Sequence, residues 1–152
     1  MIIDKKKKNI ALIGFMATGK SSVGEELRKL IGYDLIDIDE QIEAQAGMKI
    51  SEIFKIYGEE VFRDIEATIL KKCIEKLNVI LSCGGGIVIC PENRKLLKEN
   101  SLTIWLYCPI SMCAKRGNDG TRPLLEVDNP EQKANELFNN RKSQYAETAD
   151  IF

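Results

Sequence analysis

The chain carries the stretch Gly14-Phe15-Met16-Ala17-Thr18-Gly19-Lys20-Ser21, which fits the phosphate-binding pattern GxxxxGK(S/T). Residues 9–13 just before it, apolar from Ile10 onward, predict a buried strand. After it, apolar residues recur at helical spacing: Val23, Leu27, Leu30 and Ile31. A strand, a glycine loop and a helix in this order point backbone N–H groups at a triphosphate, and the helix dipole favours the bound anion. The stretch therefore predicts nucleotide binding, in which Lys20 reaches the β- and γ-phosphates and Ser21 ligates Mg²⁺.

Strand and helix signals alternate along the rest of the chain. Further strands are predicted at residues 34–37, 79–83 and 102–108. Further helices are predicted at residues 39–46, 50–57, 59–77, 91–100, 110–115 and 130–149. This alternation predicts an α/β fold with three layers, α/β/α, around a central parallel sheet. Ligands of such sheets bind beyond the carboxyl ends of the strands, which directs attention to the residues that follow each strand.

Composition limits the classes of function. A length of 152 residues predicts one domain, and a net charge of −1 argues against a nucleic-acid partner. No apolar run approaches the length of a membrane span, and the basic residues 5–8 precede only a strand-length apolar segment, so neither a membrane partner nor a signal peptide is expected. The chain has no histidine, which excludes histidine-based catalysis and argues against a zinc site. Five cysteines at irregular spacing are expected to be mostly buried thiols in a reducing cytoplasm.

Carboxylates and glycines follow the second and third strands. Asp37 and Asp39 could hold a water on Mg²⁺ or accept a hydroxyl proton, and the alternative is that one of them only caps the next helix. Gly84, Gly85 and Gly86 would let a ligand approach the backbone, or would form an ordinary turn. The aspartate that often ends a Walker B strand is missing before these glycines. A metal-linked aspartate is therefore expected from the second strand.

Two arginines are predicted to point inward from helices. Arg141 falls in the middle of an apolar stripe on the last helix, formed by Ala134, Leu137, Phe138 and Tyr145. A buried guanidinium needs a partner, which could be a protein carboxylate or an anionic substrate held by a bidentate fork. Arg63 lies at the edge of its helix's inner face, within reach of Glu59 and Glu66. It could form an ion pair there, or act as a second arm of an anion clamp that Glu66 orients.

Arg116 and Arg122 bracket a polar, glycine-containing segment before the last helix. Such a segment is typical of a mobile lid that closes over a nucleotide, and an arginine on it could stabilise charge on the transferring phosphoryl group. The alternative is an exposed loop with ordinary charges. Arg122 favours the lid interpretation because it precedes Pro123, Leu124 and Leu125, which could anchor the closed state.

Together these motifs resemble those of the shikimate kinases. The resemblance runs from residue 9 to about residue 149 and is carried by the glycine loop, Asp37-Ile38-Asp39, residues 58–66, Gly84-Gly85-Gly86, Arg122-Pro123-Leu124-Leu125 and Arg141-Lys142-Ser143-Gln144-Tyr145. It implies an ATP-dependent phosphotransferase that phosphorylates the 3-hydroxyl of shikimate, on the route to chorismate and aromatic amino acids. It also implies a P-loop kinase fold like that of the nucleoside monophosphate kinases, with a five-stranded parallel sheet and a mobile lid at about residues 116–128.

The resemblance also assigns roles to residues. The catalytic residues would be Lys20, Asp39 and Arg122. Shikimate would contact Asp39, Arg63, Gly84, Gly85, Gly86 and Arg141, with the two arginines on its carboxylate. Nucleotide would contact Gly14, Ala17, Thr18, Gly19, Lys20, Ser21, Ser22, Arg116 and Arg122, with Arg116, or Lys115 in its place, packed on adenine. Mg²⁺ would be held by Ser21 and Asp37.

Two departures from the family pattern stand out. Ala17 occupies a position where the family usually has another loop glycine. Family members usually continue with a further strand and helix, so a single domain over residues 1–152 is expected to lack these elements. Two other functions stay open from the residues: a related small-molecule kinase such as a gluconate kinase, and a nucleotide-binding regulatory module without catalysis. The expected protein is a cytoplasmic monomer whose partners are small molecules.

Overall fold

The structure is a computed structural model that describes residues 8–15, 19–107 and 129–151. The strands are β1 (Asn9–Ile13), β2 (Asp34–Asp37), β3 (Val79–Ser82) and β4 (Ser101–Trp105). The helices are α1 (Lys20–Ile31), α2 (Ile38–Ala46), α3 (Ile50–Ile74), α4 (Pro91–Asn100) and α5 (Pro130–Thr148). The predicted helix at 110–115 and the predicted lid at 116–128 lie outside the described residues.

The four strands form one parallel sheet in the order β2-β3-β1-β4. The family resemblance implies five strands, and the described sheet has four. Beside its outer strand β4, Ile151 forms an isolated parallel bridge with Ile104. All four residues of β3 are buried, as expected for a strand covered on both faces. Because β3 lies beside β1, the carboxyl ends of both strands meet, and the Cys83 amide donates to the Leu12 carbonyl at 3.1 Å. The glycine loop and the triple glycine are therefore neighbours.

Helix α1 packs on the sheet through a glycine. Val23, Leu30 and Ile31 are exposed, and the buried residues of α1 are Lys20 and Gly24. A Cβ at Gly24 would lie 2.8 Å from Leu35 Cδ1, so the missing side chain lets the helix approach the sheet closely. The helix prediction is confirmed, but the apolar spacing that supported it does not mark the buried face.

Helix α3 bends at Gly58, whose φ of 86° favours glycine. The bend separates two helical segments, as the sequence predicted. The second segment buries Phe62, Ile69 and Leu70 in the core. Leu77, predicted on the same inner face, is exposed because the helix ends at Ile74.

Burial of the thiols agrees with the expectation for the cysteines that the structure describes. Cys73 and Cys83 are buried, Cys90 is half-buried, and all three are free. Burial raises the pKa of the Cys83 thiol, which therefore stays neutral. Within the described ranges, no helix combines the length and the apolar character that crossing a membrane requires.

Candidate active site

The phosphate-binding loop connects β1 to α1. Gly19 caps α1 in the left-handed region with a φ of 92°, a conformation that favours glycine. Lys20 begins the helix, and its Nζ donates to the carbonyls of Gly14 at 2.9 Å and Phe15 at 2.8 Å. The ammonium is therefore held over the start of the loop. Ser22 is exposed on the first turn of α1. Ala17 and Thr18 lie outside the described residues.

Asp37 combines the two roles that the sequence left open. Its Oδ1 accepts a hydrogen bond from the Glu40 amide at 3.2 Å and so caps α2. Its Oδ2 accepts a hydrogen bond from the Ser21 hydroxyl at 3.1 Å. Ser82, at the end of β3, places its hydroxyl oxygen 3.4 Å from that of Ser21. Three side-chain oxygens thus gather beside the phosphate loop.

These oxygens fit a magnesium ion that is shared with a nucleotide. Mg²⁺ is usually held by one or two protein oxygen ligands together with phosphate oxygens and water. Ser21 and Asp37 supply a hydroxyl and a carboxylate at the correct edge of the sheet. Among the residues that the structure describes, no group of three or more Asp, Glu, Cys or His side chains could hold a metal ion. A magnesium ion at this site would therefore need phosphate oxygens and water as further ligands.

Two carboxylates close over Gly84. A Cβ at this position would lie 2.9 Å from Asp39 Oδ1, on the first turn of α2, and 3.1 Å from Glu66 Oε2, on α3. A side chain at Gly84 would have to displace at least one of these groups. The absence of a side chain, rather than backbone flexibility, is what this site requires of Gly84.

Arg63 forms the ion pairs that the sequence offered as one alternative. Its Nη1 donates to Glu66 Oε1 at 3.0 Å, and its Nη2 donates to Glu59 Oε1 at 3.3 Å. The guanidinium also lies directly over the triple glycine, because a Cβ at Gly86 would be 2.3 Å from Nη1. Arg63 is therefore both paired and positioned at the candidate site.

Arg141 points inward, as predicted from its place in the apolar stripe. The residue is 3% exposed, and Ala134 and Tyr145 from the same stripe are fully buried. The Nη1 atom of Arg141 has no hydrogen-bond partner in the described part of the chain. A buried N–H group without an acceptor is costly, so the unpaired Nη1 suits an anion between Arg141 and the triple glycine.

The charges of Arg63, Arg141 and Asp39 all act on the carboxyl group of Glu66. Burial raises the pKa of Glu66 to about 7, and the charge and hydrogen bond of Arg63 oppose that rise. The negative charge of Asp39 raises the pKa further, whereas the positive charge of Arg141 lowers it. The carboxyl group is 1% exposed, so these influences act with little screening by solvent.

Comparison with known proteins agrees with this geometry. The family model described as shikimate kinase matches residues 16–152. The chain belongs to the shikimate kinase family. The shikimate kinase of Thermodesulfovibrio yellowstonii is 45% identical over 145 residues, which are 95% of this chain and 83% of that protein. The shikimate kinase of Persephonella marina is 42% identical over 145 residues, which are 95% of this chain and 87% of that protein.

A solved structure extends the agreement to three dimensions. A shikimate kinase from Acinetobacter baumannii, in complex with shikimate, is 37% identical and superimposes with a TM-score of 0.93. The similarity covers 95% of this chain and 81% of that one. The expected family and the expected α/β P-loop kinase fold are both confirmed.

The site of this family member divides into two groups. We call Lys20, Ser21 and Asp37 the donor cluster, and Asp39, Arg63, Glu66 and Arg141 the acceptor cluster. The structure brings each group together at the carboxyl edge of the sheet, with Gly84, Gly85 and Gly86 beside the acceptor cluster. The predicted site residues Arg116 and Arg122 lie outside the described residues.

The triple-glycine loop is held by side chains that sequence reasoning did not assign to the site. The Tyr145 hydroxyl donates to the Gly85 carbonyl, and burial raises the pKa of this phenol to about 12, which keeps it a donor. Asn93 and Arg94, on the first turn of α4, donate to carbonyls further along the loop, those of Ile87, Val88 and Ile89. In the sequence, Tyr145 was noted only in an apolar stripe and in the motif that follows Arg141, without a role, and Ser82 only in an apolar strand.

Proposed function

We propose that this chain transfers the γ-phosphoryl group of ATP to the 3-hydroxyl of shikimate, giving shikimate 3-phosphate and ADP. The observation that carries the proposal is the arginine pair, half-buried Arg63 and buried Arg141, which lies next to Asp39 and beside a phosphate loop. Such a site suits a small molecule with one carboxylate and one reactive hydroxyl. The shikimate kinase family to which the chain belongs carries the same activity in its name. The reaction serves the synthesis of aromatic amino acids.

The donor cluster would position ATP. Lys20 would exchange its bonds to the loop carbonyls for bonds to the β- and γ-phosphates. Ser21 and Asp37 would hold Mg²⁺, which when bound neutralises charge on the phosphate oxygens. Gly14, Gly19 and the predicted contacts Ala17, Thr18 and Ser22 would complete the loop. Arg122 would place a cation on the transferring group and Arg116 would pack on adenine, as the family resemblance implies.

The acceptor cluster would position shikimate. Arg63 and Arg141 would fork the carboxylate, because a guanidinium matches two carboxylate oxygens at once. Asp39 would hold the hydroxyl that attacks, and would accept its proton or orient it. Holding both substrates in line and balancing their charge can supply most of the catalysis in a phosphoryl transfer.

Two other functions remain distinguishable by experiment. A gluconate kinase would also act on a hydroxylated carboxylate, and a regulatory module would bind nucleotide without transferring its phosphate. We further propose that the protein works as a cytoplasmic monomer with small-molecule partners alone, without nucleic acid or membrane.

A coupled assay of ADP release tests the proposal. With ATP and Mg²⁺ present, shikimate should give turnover and gluconate should give none above background. Turnover with gluconate alone would favour the related kinase. Nucleotide binding without turnover on either compound would favour the regulatory module and overturn the proposed reaction.

A further inference from the structure

Glu66 is a buried carboxyl group whose two oxygens have different surroundings. Its Oε1 accepts a hydrogen bond from Arg63 Nη1 at 3.0 Å. Its Oε2 has no hydrogen-bond partner among the described residues, although it lies beside Gly84 of the triple glycine. A desolvated oxygen without a donor is more stable as a neutral hydroxyl than as part of an anion. The geometry therefore favours a proton on Oε2.

The ionisable groups that face Glu66 come from four elements: Asp39 on α2, Arg63 on α3, Cys83 directly after β3, and Arg141 and Tyr145 on α5. Cys83 and Tyr145 stay neutral, because burial raises the pKa of the thiol and raises that of the phenol to about 12. The charges around Glu66 are thus those of two guanidinium groups and one other carboxylate.

This charge balance changes when an anion enters. Glu59 also bonds to Arg63, but its side chain is exposed and its charge is screened by solvent. Among the inner groups, Asp39 and Glu66, when both are ionised, already match the two guanidinium groups. A third carboxylate, that of shikimate, would add an uncompensated negative charge to a buried space, which is costly. A neutral Glu66 removes the excess. A new anion nearby also raises the proton affinity of a carboxyl group.

We propose that Glu66 takes up one proton from solvent when the carboxylate of shikimate binds between Arg63 and Arg141. The inference rests on the proposed function, since it needs a carboxylate in the acceptor cluster. The proton binds Oε2 while Oε1 keeps its bond to Arg63, so no covalent bond of the substrate changes. Glu66 then acts as a positioning residue that stabilises the guanidinium pair and does not contact the reacting atoms.

The sign of the pH dependence follows from this linkage. In the free protein the pKa of Glu66 is about 7, and a bound anion shifts it upward. Shikimate therefore binds most tightly below that pH. Its dissociation constant should rise by up to about tenfold per pH unit above it, until the pKa of the complex is reached. The carboxyl of shikimate itself stays ionised over this range, as does every guanidinium.

Isothermal titration calorimetry of shikimate into the nucleotide-free protein tests the proposal. Titrations at pH 7.5 in phosphate and in Tris, whose ionisation enthalpies differ, report the protons exchanged. We expect an uptake of roughly half a proton or more per shikimate. Binding heat that does not depend on the buffer would overturn the proton uptake but leave the proposed function intact. No shikimate binding together with no turnover would overturn the proposed function and this inference with it.

Two variants assign the proton to its residue. Glu66→Gln is neutral at every pH and keeps an oxygen that can accept from Arg63, so its shikimate affinity should be nearly independent of pH and its proton uptake should vanish. Glu59→Gln is the matched control, because Glu59 contacts the same arginine from the exposed side at 3.3 Å. It should keep the wild-type uptake. Uptake retained in Glu66→Gln, or lost in Glu59→Gln, would contradict the assignment. The wild-type titration decides the proposal even if Glu66→Gln does not fold.

Discussion

The donor cluster and the acceptor cluster hold their charged groups in different ways. Lys20 bonds to two backbone carbonyls, and the exposed Ser21 bonds to the half-buried Asp37. In the acceptor cluster, Glu66 is 1% exposed and Arg141 is 3% exposed. Each of these two side chains has a polar atom without a hydrogen-bond partner among the described residues.

The difference indicates where each substrate gains its binding energy. Glu66 and Arg141 are almost fully buried, whereas Ser21 is exposed and Asp37 is half-buried, and charges in a dry environment interact more strongly than charges near the surface. The acceptor cluster should therefore discriminate among carboxylates through a few contacts. The donor cluster instead offers backbone amides and a lysine to a highly charged ligand, whose attraction is spread over many groups. Substitutions in one cluster should therefore change the response to one substrate and spare the other.

The largest effect is expected from Lys20→Met, which removes the cation of the donor cluster. The transferring phosphoryl group loses a positive charge that stabilises it, so kcat should fall by about 10³-fold. Shikimate affinity should stay within about twofold of wild type, because Lys20 bonds to the loop and not to the arginine pair. ADP-release kinetics and shikimate calorimetry measure the two effects. Lys29→Met, at an exposed position of the same helix, is the control and should match wild type.

Arg141→Ala should raise the KM for shikimate by about 100-fold, since it removes the buried arm of the proposed carboxylate fork. The KM for ATP should change by less than about twofold. Lys142→Ala removes a neighbouring but exposed cation from the same helix and should leave both constants unchanged. Equal losses for the two substrates in Arg141→Ala would show that the two clusters are not separate.

Gly86→Ala should have an intermediate effect. Its methyl group would lie 2.3 Å from Arg63 Nη1, so the guanidinium must move while the backbone can stay. We expect the KM for shikimate to rise about tenfold, with less than about 1 kcal/mol lost in the free energy of unfolding.

A double-mutant cycle tests whether Gly86 and Arg63 act together. If Gly86 acts through the guanidinium, adding Gly86→Ala to Arg63→Ala should cost little more than Arg63→Ala alone.

The smallest effect is expected from Tyr145→Phe, which removes the hydrogen bond from the phenol to the Gly85 carbonyl. The ring would still stack on Trp105, whose centroid lies 5.6 Å away. We expect a loss of about 1 kcal/mol in stability, which lowers Tm by about 2–4 °C in a chain of this size. Tyr107→Phe alters an exposed phenol and serves as the control in thermal unfolding. An unchanged Tm in Tyr145→Phe would contradict the role of Tyr145 in anchoring the triple glycine.

Local patterns predicted most of the fold. The strand at 9–13 and the helix at 91–100 were predicted to the residue, because apolar runs and first-turn prolines act locally. Burial was harder to predict. Val23, Leu30 and Ile31 of α1 are exposed, whereas Gly24, which has no side chain to signal its role, makes the close contact with the sheet.

The sequence predicted those site residues whose position can be derived from the pattern within a single helix or strand. A single charged residue in an apolar stripe was enough to place Arg141 inside. The bond from Tyr145 to Gly85 joins residues 60 apart in sequence, and the approach of Ser82 to Ser21 joins residues 61 apart. Periodicity within one helix or strand contains no information about such contacts. The same holds for Glu66, whose central position depends on α2, α3 and α5 meeting at the triple glycine.

Shikimate binding to the nucleotide-free protein tests the separation of the two clusters most directly. Calorimetry should be run in parallel on wild type, Lys20→Met and Arg141→Ala. Separate clusters predict that wild type and Lys20→Met bind shikimate with the same affinity, and that Arg141→Ala binds it about 100-fold more weakly. Equal weakening in both variants would contradict the division into donor and acceptor clusters.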